Sequence, residues 1–388
     1  MKLTYQNTII SCFIGYIVQA IVNNFVPLLF LTFQNTYNIP LDKITLLVTF
    51  NFGVQLLTDL IAGKYVDKIG YRTSIVLAHL FSALGLILLT VLPEILNPFS
   101  GVLIAVMIYA IGGGLLEVLV SPIMESCPTD NKESAMSLLH SFYCWGHVGV
   151  VLISTLFFHF AGIGNWRFLA CVWAIIPIIN GIFFLKTPIA PLLSEEEQEM
   201  STKELFLNKT FWLLMLMMLC AGASEQSVSQ WSSTFAEQGL GISKTAGDLA
   251  GPMTFAILMG LSRALYGKFA AKINLQKFML ASSILCIISY LLTSLTLNPL
   301  ISLVGCALTG LSVGIMWPGT FSTAAASLRT GGTTMFALLA LAGDFGCSAG
   351  PTLVGLVSNA TTGTLQTGIL AAVIFPVLLG VCILKRRQ

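Results

Sequence analysis

Apolar residues run through this chain in blocks of ~20 or more, long enough for each to cross a bilayer as a helix. The polar residues that interrupt them fall in short connections, not at alternate positions and not along a regular solvent-facing stripe. A transmembrane barrel would alternate apolar and polar residues at every second position, which these blocks do not do. The pattern predicts twelve transmembrane helices, at residues 8–33, 44–63, 73–96, 99–124, 135–160, 165–185, 209–235, 249–266, 276–297, 299–327, 332–357 and 364–384. The first block follows "MKLTYQN", is longer than a signal-peptide core and has no small-residue cleavage site after it, so it is read as a mature span.

Composition removes the soluble alternative: 56% of the residues are hydrophobic and 9% charged, against about 25% charged in an ordinary soluble domain. The expected partner on this composition is therefore the lipid bilayer. With a net charge of +2 and no basic patch, nucleic acid is not expected alongside it. Lys and Arg orient the chain. If the N-terminus is cytoplasmic, only Lys43, Arg167 and Lys244 of the basic residues outside the spans fall on the far side. That asymmetry predicts both termini inside, in a plasma membrane, for which a bacterial cytoplasmic membrane is the expected setting. The nine cysteines are scattered singly without metal-like spacing and read as core residues, so no metal and no cofactor beyond a coupling ion is expected.

One long hydrophilic connection, "KTPIAPLLSEEEQEMSTKELFLNK" (186–209), divides the chain into an N-terminal six-helix bundle (1–186), a cytoplasmic linker (187–208) and a C-terminal six-helix bundle (209–388). Its "SEEEQE" run reads as a solvated face. The two halves echo each other. "GKYVDKIGYRT" (63–73) returns as "GKFAAKINLQK" (267–277), "GLLEVLVSP" (114–122) as "GLSVGIMWP" (310–318), and "WGHVG" (145–149) as "AGDFG" (342–346). The fold class is thus an all-α membrane protein of two pseudo-symmetric six-helix bundles. Such repeats describe a transporter built for alternating access, with its site near mid-membrane.

Polar side chains inside the spans are expensive, so they mark candidate chemistry. Span one holds Gln19, Asn23 and Asn24; span four Glu117; span seven Glu225, Gln226 and Gln230; span ten Thr309, Ser312 and Trp317. Spans five and eleven add His140, Tyr143, His147 and Asp344, while spans three, six, nine and twelve offer little beyond scattered Ser, Thr and Asn. Gln19 with Asn23, Gln226 with Gln230, and His140 with Tyr143 and His147 are spaced to share a helix face. A hydroxyl-rich ligand needs such a mixture of amides, carboxylates and imidazoles, and Trp145, Trp231 and Trp317 offer rings for stacking. The structural alternative is that amides and histidines tie helices to one another. "GGG" (112–114) permits close helix approach and local unwinding, and Pro122 and Pro318 are expected to bend their helices. Asp59 and Arg263, equivalent positions of opposite charge four residues before the loop glycines, are candidates for an inner gate or for setting topology. Glu125 reads as an interfacial or gating charge.

These motifs also carry a resemblance. "GKYVDKIGYR" is similar to the loop motif of the major facilitator superfamily through Gly63, Asp67, Lys68, Gly70 and Arg72, with Tyr71 departing from the usual basic residue. The resemblance implies a gating latch, in which Asp67 is expected near the N-terminus of the third helix, and implies that spans one, four, seven and ten line the cavity. Within the superfamily, "GLLEVLVSPI…LLHSFYCWGHVGVV" resembles the fucose-permease-type sugar symporters. There Glu117 takes the place of the functional glutamate, His140 that of a glutamine and Tyr143 that of an asparagine. "VNNF" (22–25) resembles the Asn-Asn stretch of the first helix, but Pro27 stands where that family has an aspartate. "GASEQSVSQWSSTF" (222–235) resembles the Glu-plus-Trp segment of related sugar carriers.

The reading that unites these features is a secondary active transporter, acting as a monomer, that takes up a monosaccharide or similar polar solute with H⁺ or Na⁺. Gln19, Asn23, Asn24, His140, Tyr143, Glu225, Gln226, Gln230, Trp231 and Trp317 are the candidate solute-binding residues. Glu117, Glu225, His147 and Asp344 are the candidate ion-coupling residues. The alternatives are a proton-coupled exporter of amphipathic compounds, favoured by the many Phe and Met residues, and, more remotely, a membrane sensor or enzyme. No nucleophile elbow, HExxH or nucleotide loop supports an enzyme.

Overall fold

The computed structural model describes residues 3–128, 132–189, 200–269, 273–296, 298–328, 331–361 and 364–386, and no strand occurs among them. Among the described residues, twelve helical spans are long and apolar enough to cross a membrane: Tyr5–Tyr37, Leu41–Ala62, Tyr71–Ile95, Pro98–Met124, Leu138–Ala161, Ile163–Lys186, Lys209–Gly239, Lys244–Tyr266, Leu275–Leu295, Pro299–Ala324, Ala337–Ala360 and Leu365–Lys385. They fall into two compact units, Met1–Ser194 and Glu195–Gln388. The helix pairings of the first unit recur in the second. Span one packs on four and five as seven packs on ten and eleven, two on four as eight on ten, and three on four and six as nine on ten and twelve.

Side-chain detail repeats too. Arg72 donates from Nη1 to the carbonyl oxygens of Phe184 and Leu185 at 2.8 and 2.9 Å, at the C-terminal end of span six. Its counterpart Gln276 donates to Ile383 O, at 3.2 Å, near the end of span twelve. Both satisfy carbonyls that a helix end leaves unpaired, and the cation also meets the negative end of the macrodipole. Arg72→Gln is therefore expected to keep more thermal stability than Arg72→Ala in detergent melts; equal losses would show that the carbonyl bonds are immaterial. Gly70, at φ +91°, makes the turn between spans two and three in a conformation that favours glycine.

The helix of span two continues to Ile69 and the next begins at Tyr71. Asp67 thus belongs to the last turn of the preceding helix, which corrects its expected place near the N-terminus of the third. The side chains of Asp67 and Lys68, and the surroundings of Gly63, lie outside the described residues, as does the side chain of Glu125. The acidic run of the linker also lies outside them. The described end of the linker carries a capping box, in which the Ser201 amide and hydroxyl donate to Glu204 and hold its carboxyl below the usual carboxylate range.

Spans one, seven and ten are each interrupted. Span one is helical over Tyr5–Asn24, passes through a 3₁₀ turn at Val26–Leu29 and resumes at Phe30. Pro27, which lacks an N–H, accounts for this break. Span seven is α-helical to Ser229 and becomes a π-helix at Phe235–Gly239, and span ten breaks between Val313 and Met316. Span four, by contrast, is one helix from Pro98 to Ser126. Its three glycines therefore do not unwind it; they admit neighbours. A Cβ on Gly112 would lie 2.6 Å from Ala78 O of span three, one on Gly113 3.1 Å from Gln55 Oε1, and one on Gly114 3.0 Å from Asp59 Oδ1.

Spans seven and eleven cross even more closely. A Cβ on Gly346 would lie 2.0 Å from Leu219 O, and one on Gly222 2.2 Å from Gly343 O. Gly346→Ala must push two backbones apart and is expected to cost about 1–3 kcal/mol or more. Gly149→Ala, where a Cβ meets nothing within 4 Å, is the control. The fraction of monodisperse protein surviving a heat challenge checks both, and equal survival would refute the close crossing.

Outward surfaces of spans three and nine are apolar stripes, such as Leu80, Leu84, Ile87, Val91 and Ile95 or Ile284, Ile288, Leu291 and Leu295. In lipid such a stripe is fully solvated. The chain is an integral membrane protein.

Candidate functional site

In the first unit a polar lane forms where spans one, two, four and five meet. Its centre is Gln55, a span-two residue absent from the sequence-based candidates. Gln55 Oε1 accepts from Gln19 Nε2 at 3.1 Å, and its Nε2 donates to Asn23 Oδ1 at 2.8 Å. Gln19 Nε2 also donates to Glu117 Oε2, 3.2 Å away, and Asn51 Nδ2 reaches Asn23 Oδ1 at 3.4 Å. Each amide is oriented by its partners, because a flip would set oxygen against oxygen or N–H against N–H. Two buried acceptors, Gln19 Oε1 and Asn51 Oδ1, have no hydrogen-bond partner. Gln19 is 3% exposed and Asn51 5%.

The lane continues along span one. Asn24 donates to Ala20 O at 2.9 Å, beside the helix break, and extends at 3.5 Å towards the Tyr143 hydroxyl. Tyr16 shares a 2.9 Å hydrogen bond with Ser121 of span four, and its ring lies 5.3 Å from that of His140. Gln19, Asn23, Asn24, Glu117, His140 and Tyr143 are thus drawn into one region. His147 is buried on the same face of span five. Trp145, 49% exposed, points to the opposite face with Leu138 and Leu152, so it does not join the lane, contrary to its expected stacking role.

In the second unit Glu225 Oε2 lies 3.6 Å from Arg263 Nη2, and Arg263 Nε donates to Gly314 O at 3.2 Å, the carbonyl exposed by the break in span ten. Gln226 donates to Glu225 at 3.4 Å and accepts from Gln230 at 3.0 Å, so the row predicted from spacing is a connected chain. Trp231 is 0% exposed and donates to Pro351 O at 2.9 Å. That bond braces span seven against span eleven. Trp317 lies over Gly343, where an added Cβ would come within 2.2 Å of its ring. Asp344 is buried next in sequence to that glycine. No group of three or more His, Cys, Asp or Glu side chains among the described residues is placed to hold a metal ion.

Two features escaped the sequence reading. Asn51, Gln55 and Asp59 recur every four residues in "NFGVQLLTD", a stripe on one helix face that was available as a signal. Span three is less apolar inside than expected, because His79 and Asn180 form a buried pair at 2.8 Å that ties it to span six, with Asn180 also on Ser11 O at 3.0 Å.

A family model described as Major Facilitator Superfamily matches residues 9–351. The chain belongs to the major facilitator superfamily. It is accordingly a transporter and not an enzyme. Solved structures of the same superfamily fold include the E. coli fucose:proton symporter FucP, with TM-score 0.70, 16% identity and 99% of each chain covered. A bacterial homologue of the human lysosomal transporter Spinster, inward-facing and occupied, gives 0.76 at 15% identity over 98% of this chain and 96% of that one. The nucleoside transporter NupG gives 0.76 at 14% identity over 98% and 100%. No curated protein matches the chain significantly.

Proposed function

We propose that this transporter takes up a monosaccharide or a similar hydroxyl-bearing solute together with a cation, as a monomer with both termini in the cytoplasm. The observation that carries the reading is the amide lane of Gln19, Asn23, Asn51 and Gln55, which retains a buried and unpartnered acceptor at Asn51 Oδ1. A buried carbonyl without a donor costs about 1–3 kcal/mol, and a solute hydroxyl supplies that donor. His140 and Tyr143 across the lane add groups that both donate and accept. Two of the similar structures are a fucose:proton symporter and a nucleoside transporter, and both fucose and nucleosides carry several hydroxyls.

Glu117 is the coupling carboxylate in this reading, because it is joined to the lane through Gln19. Glu225, paired with Arg263, is the lesser candidate. Gln226, Gln230, Trp317, His147 and Asp344 retain their proposed solute or coupling roles, and Asp59, Asp67, Lys68, Arg72 and Arg263 their proposed gating roles. The test is uptake of a radiolabelled sugar and nucleoside panel into proteoliposomes under an imposed H⁺ or Na⁺ gradient. Accumulation of one member is expected. A panel that is never concentrated, together with drug resistance conferred on an efflux-deficient host, would instead establish an exporter of amphipathic compounds.

A further inference from the structure

We propose that the end of the second unit where spans nine and twelve meet binds the head group of an anionic phospholipid through Lys277, Lys385 and Arg386. A cleft of about 80 Å³ opens there, lined by Asn274, Gln276, Lys277, Leu280, Ile383 and Leu384. On the order of 10–15 Å³ admits one water, so the space takes a larger polar group. Gln276 ties the two helices by donating to Ile383 O at 3.2 Å, and the Asn274 side chain accepts from the Lys277 amide at 3.0 Å. Both amide side chains are thus engaged inside the protein, whereas the Lys277 ammonium lines the cleft with no such duty.

The positive charge is unanswered. Among the described residues no carboxylate pairs with Lys277, Lys385 or Arg386. Arg386 is partly buried and donates to the neutral Ser327 hydroxyl at 2.8 Å, and burial pulls its pKa below the usual arginine range, as for a cation that lacks an anion. The repeat sharpens the contrast. In the first unit Arg72 spends its guanidinium on Phe184 O and Leu185 O, and Thr73 stands where the second unit has Lys277. In the second unit neutral Gln276 takes over the carbonyl, and a lysine is added beside it.

From the cleft the surface turns apolar. Ile284 and Ile288 of span nine are exposed, as are Val377, Val381 and Leu384 of span twelve, each set at helical spacing along one face. A phospholipid joins the two chemistries, with its phosphate at the basic rim and its acyl chains on the stripes. Inorganic phosphate, or the acidic run 194–199 of the linker, would answer only the charge. Basic pockets between transmembrane helices at the membrane surface suit anionic head groups, and the proposed orientation places this one in the cytoplasmic leaflet. The site is independent of the solute and of the coupling ion.

The full-length protein is reconstituted in phosphatidylcholine nanodiscs containing a trace of photoactivatable phosphatidylglycerol, and its adducts are mapped by mass spectrometry. Saturable labelling within 275–288 and 377–386 is expected, displaced by unlabelled phosphatidylglycerol and not by further phosphatidylcholine or by inorganic phosphate. A basic residue beside an anionic lipid surface favours contact by about fivefold. Lys277→Gln combined with Lys385→Gln should therefore weaken labelling at least about tenfold, while Lys209→Gln, an exposed lysine of the same unit, should leave it unchanged. Labelling spread evenly around the unit, displacement by inorganic phosphate, or a monodisperse double variant labelled like the wild type would each overturn the site. Labelling that emerges only when Glu195→Gln, Glu196→Gln and Glu197→Gln are combined would give the cleft to the acidic run and overturn the lipid as its occupant.

Discussion

Glu117→Gln is expected to abolish gradient-driven accumulation of solute while preserving solute exchange across the membrane. The substitution keeps an oxygen for Gln19 Nε2, which donates to Glu117 Oε2 at 3.2 Å, so the lane of Gln19, Gln55 and Asn23 keeps its connections. What disappears is the negative charge. An ion drives transport only through a difference in its affinity for two states of the carrier, and a neutral amide removes the strongest source of that difference. Exchange needs the loaded carrier alone to reorient, so its rate should stay within about an order of magnitude of the wild type. Counterflow and net uptake, measured in the same proteoliposomes, separate the two effects. A variant that still concentrates solute as the wild type does would remove Glu117 from the coupling role.

Loss of the Arg263 guanidinium should be the most destabilising of the single charge deletions. Glu225 and Arg263 are both largely buried, at 10% and 16% side-chain exposure, with 3.6 Å between charged atoms. Removing one member of such a pair strands the other and typically costs about 3–5 kcal/mol, whereas replacing both can be nearly neutral. Arg263→Met should therefore lower the melting temperature in detergent sharply, and the double variant Glu225→Gln with Arg263→Met should recover most of the loss. Gly314 O, which accepts from Arg263 Nε, also loses its donor in both variants, so recovery should fall short of complete. If the double variant melts no higher than Arg263→Met alone, the charge pair is not what Arg263 contributes.

Span number and helical class were legible because a bilayer demands helices of ~20 apolar residues, whatever packs around them. The relation between the halves was legible for a similar reason: "GKYVDKIGYRT" and "GKFAAKINLQK" preserve a helix-end geometry in which Arg72 and Gln276 both cap a carbonyl. The site was read only in part. Gln19, Asn23, Asn24 and Glu117 stood out as polar groups in apolar runs, yet Gln55, which bonds to both Gln19 and Asn23, was passed over in a span that is polar at several positions.

The sequence by itself determined that this protein is a twelve-span membrane transporter with polar groups concentrated on certain helices, since burial in lipid penalises each such group wherever it falls. Tertiary structure alone decided which of those groups meet. Only helix crossing could show that the triple glycine leaves span four intact and admits Gln55 and Asp59, that Arg263 answers Glu225, that Trp231 is buried against Pro351, and that Trp145 turns away from the polar lane of its own unit. Hydrophobic periodicity registers the cost of leaving water, which each residue incurs alone, whereas partnership depends on rotation and approach of helices far apart in the chain.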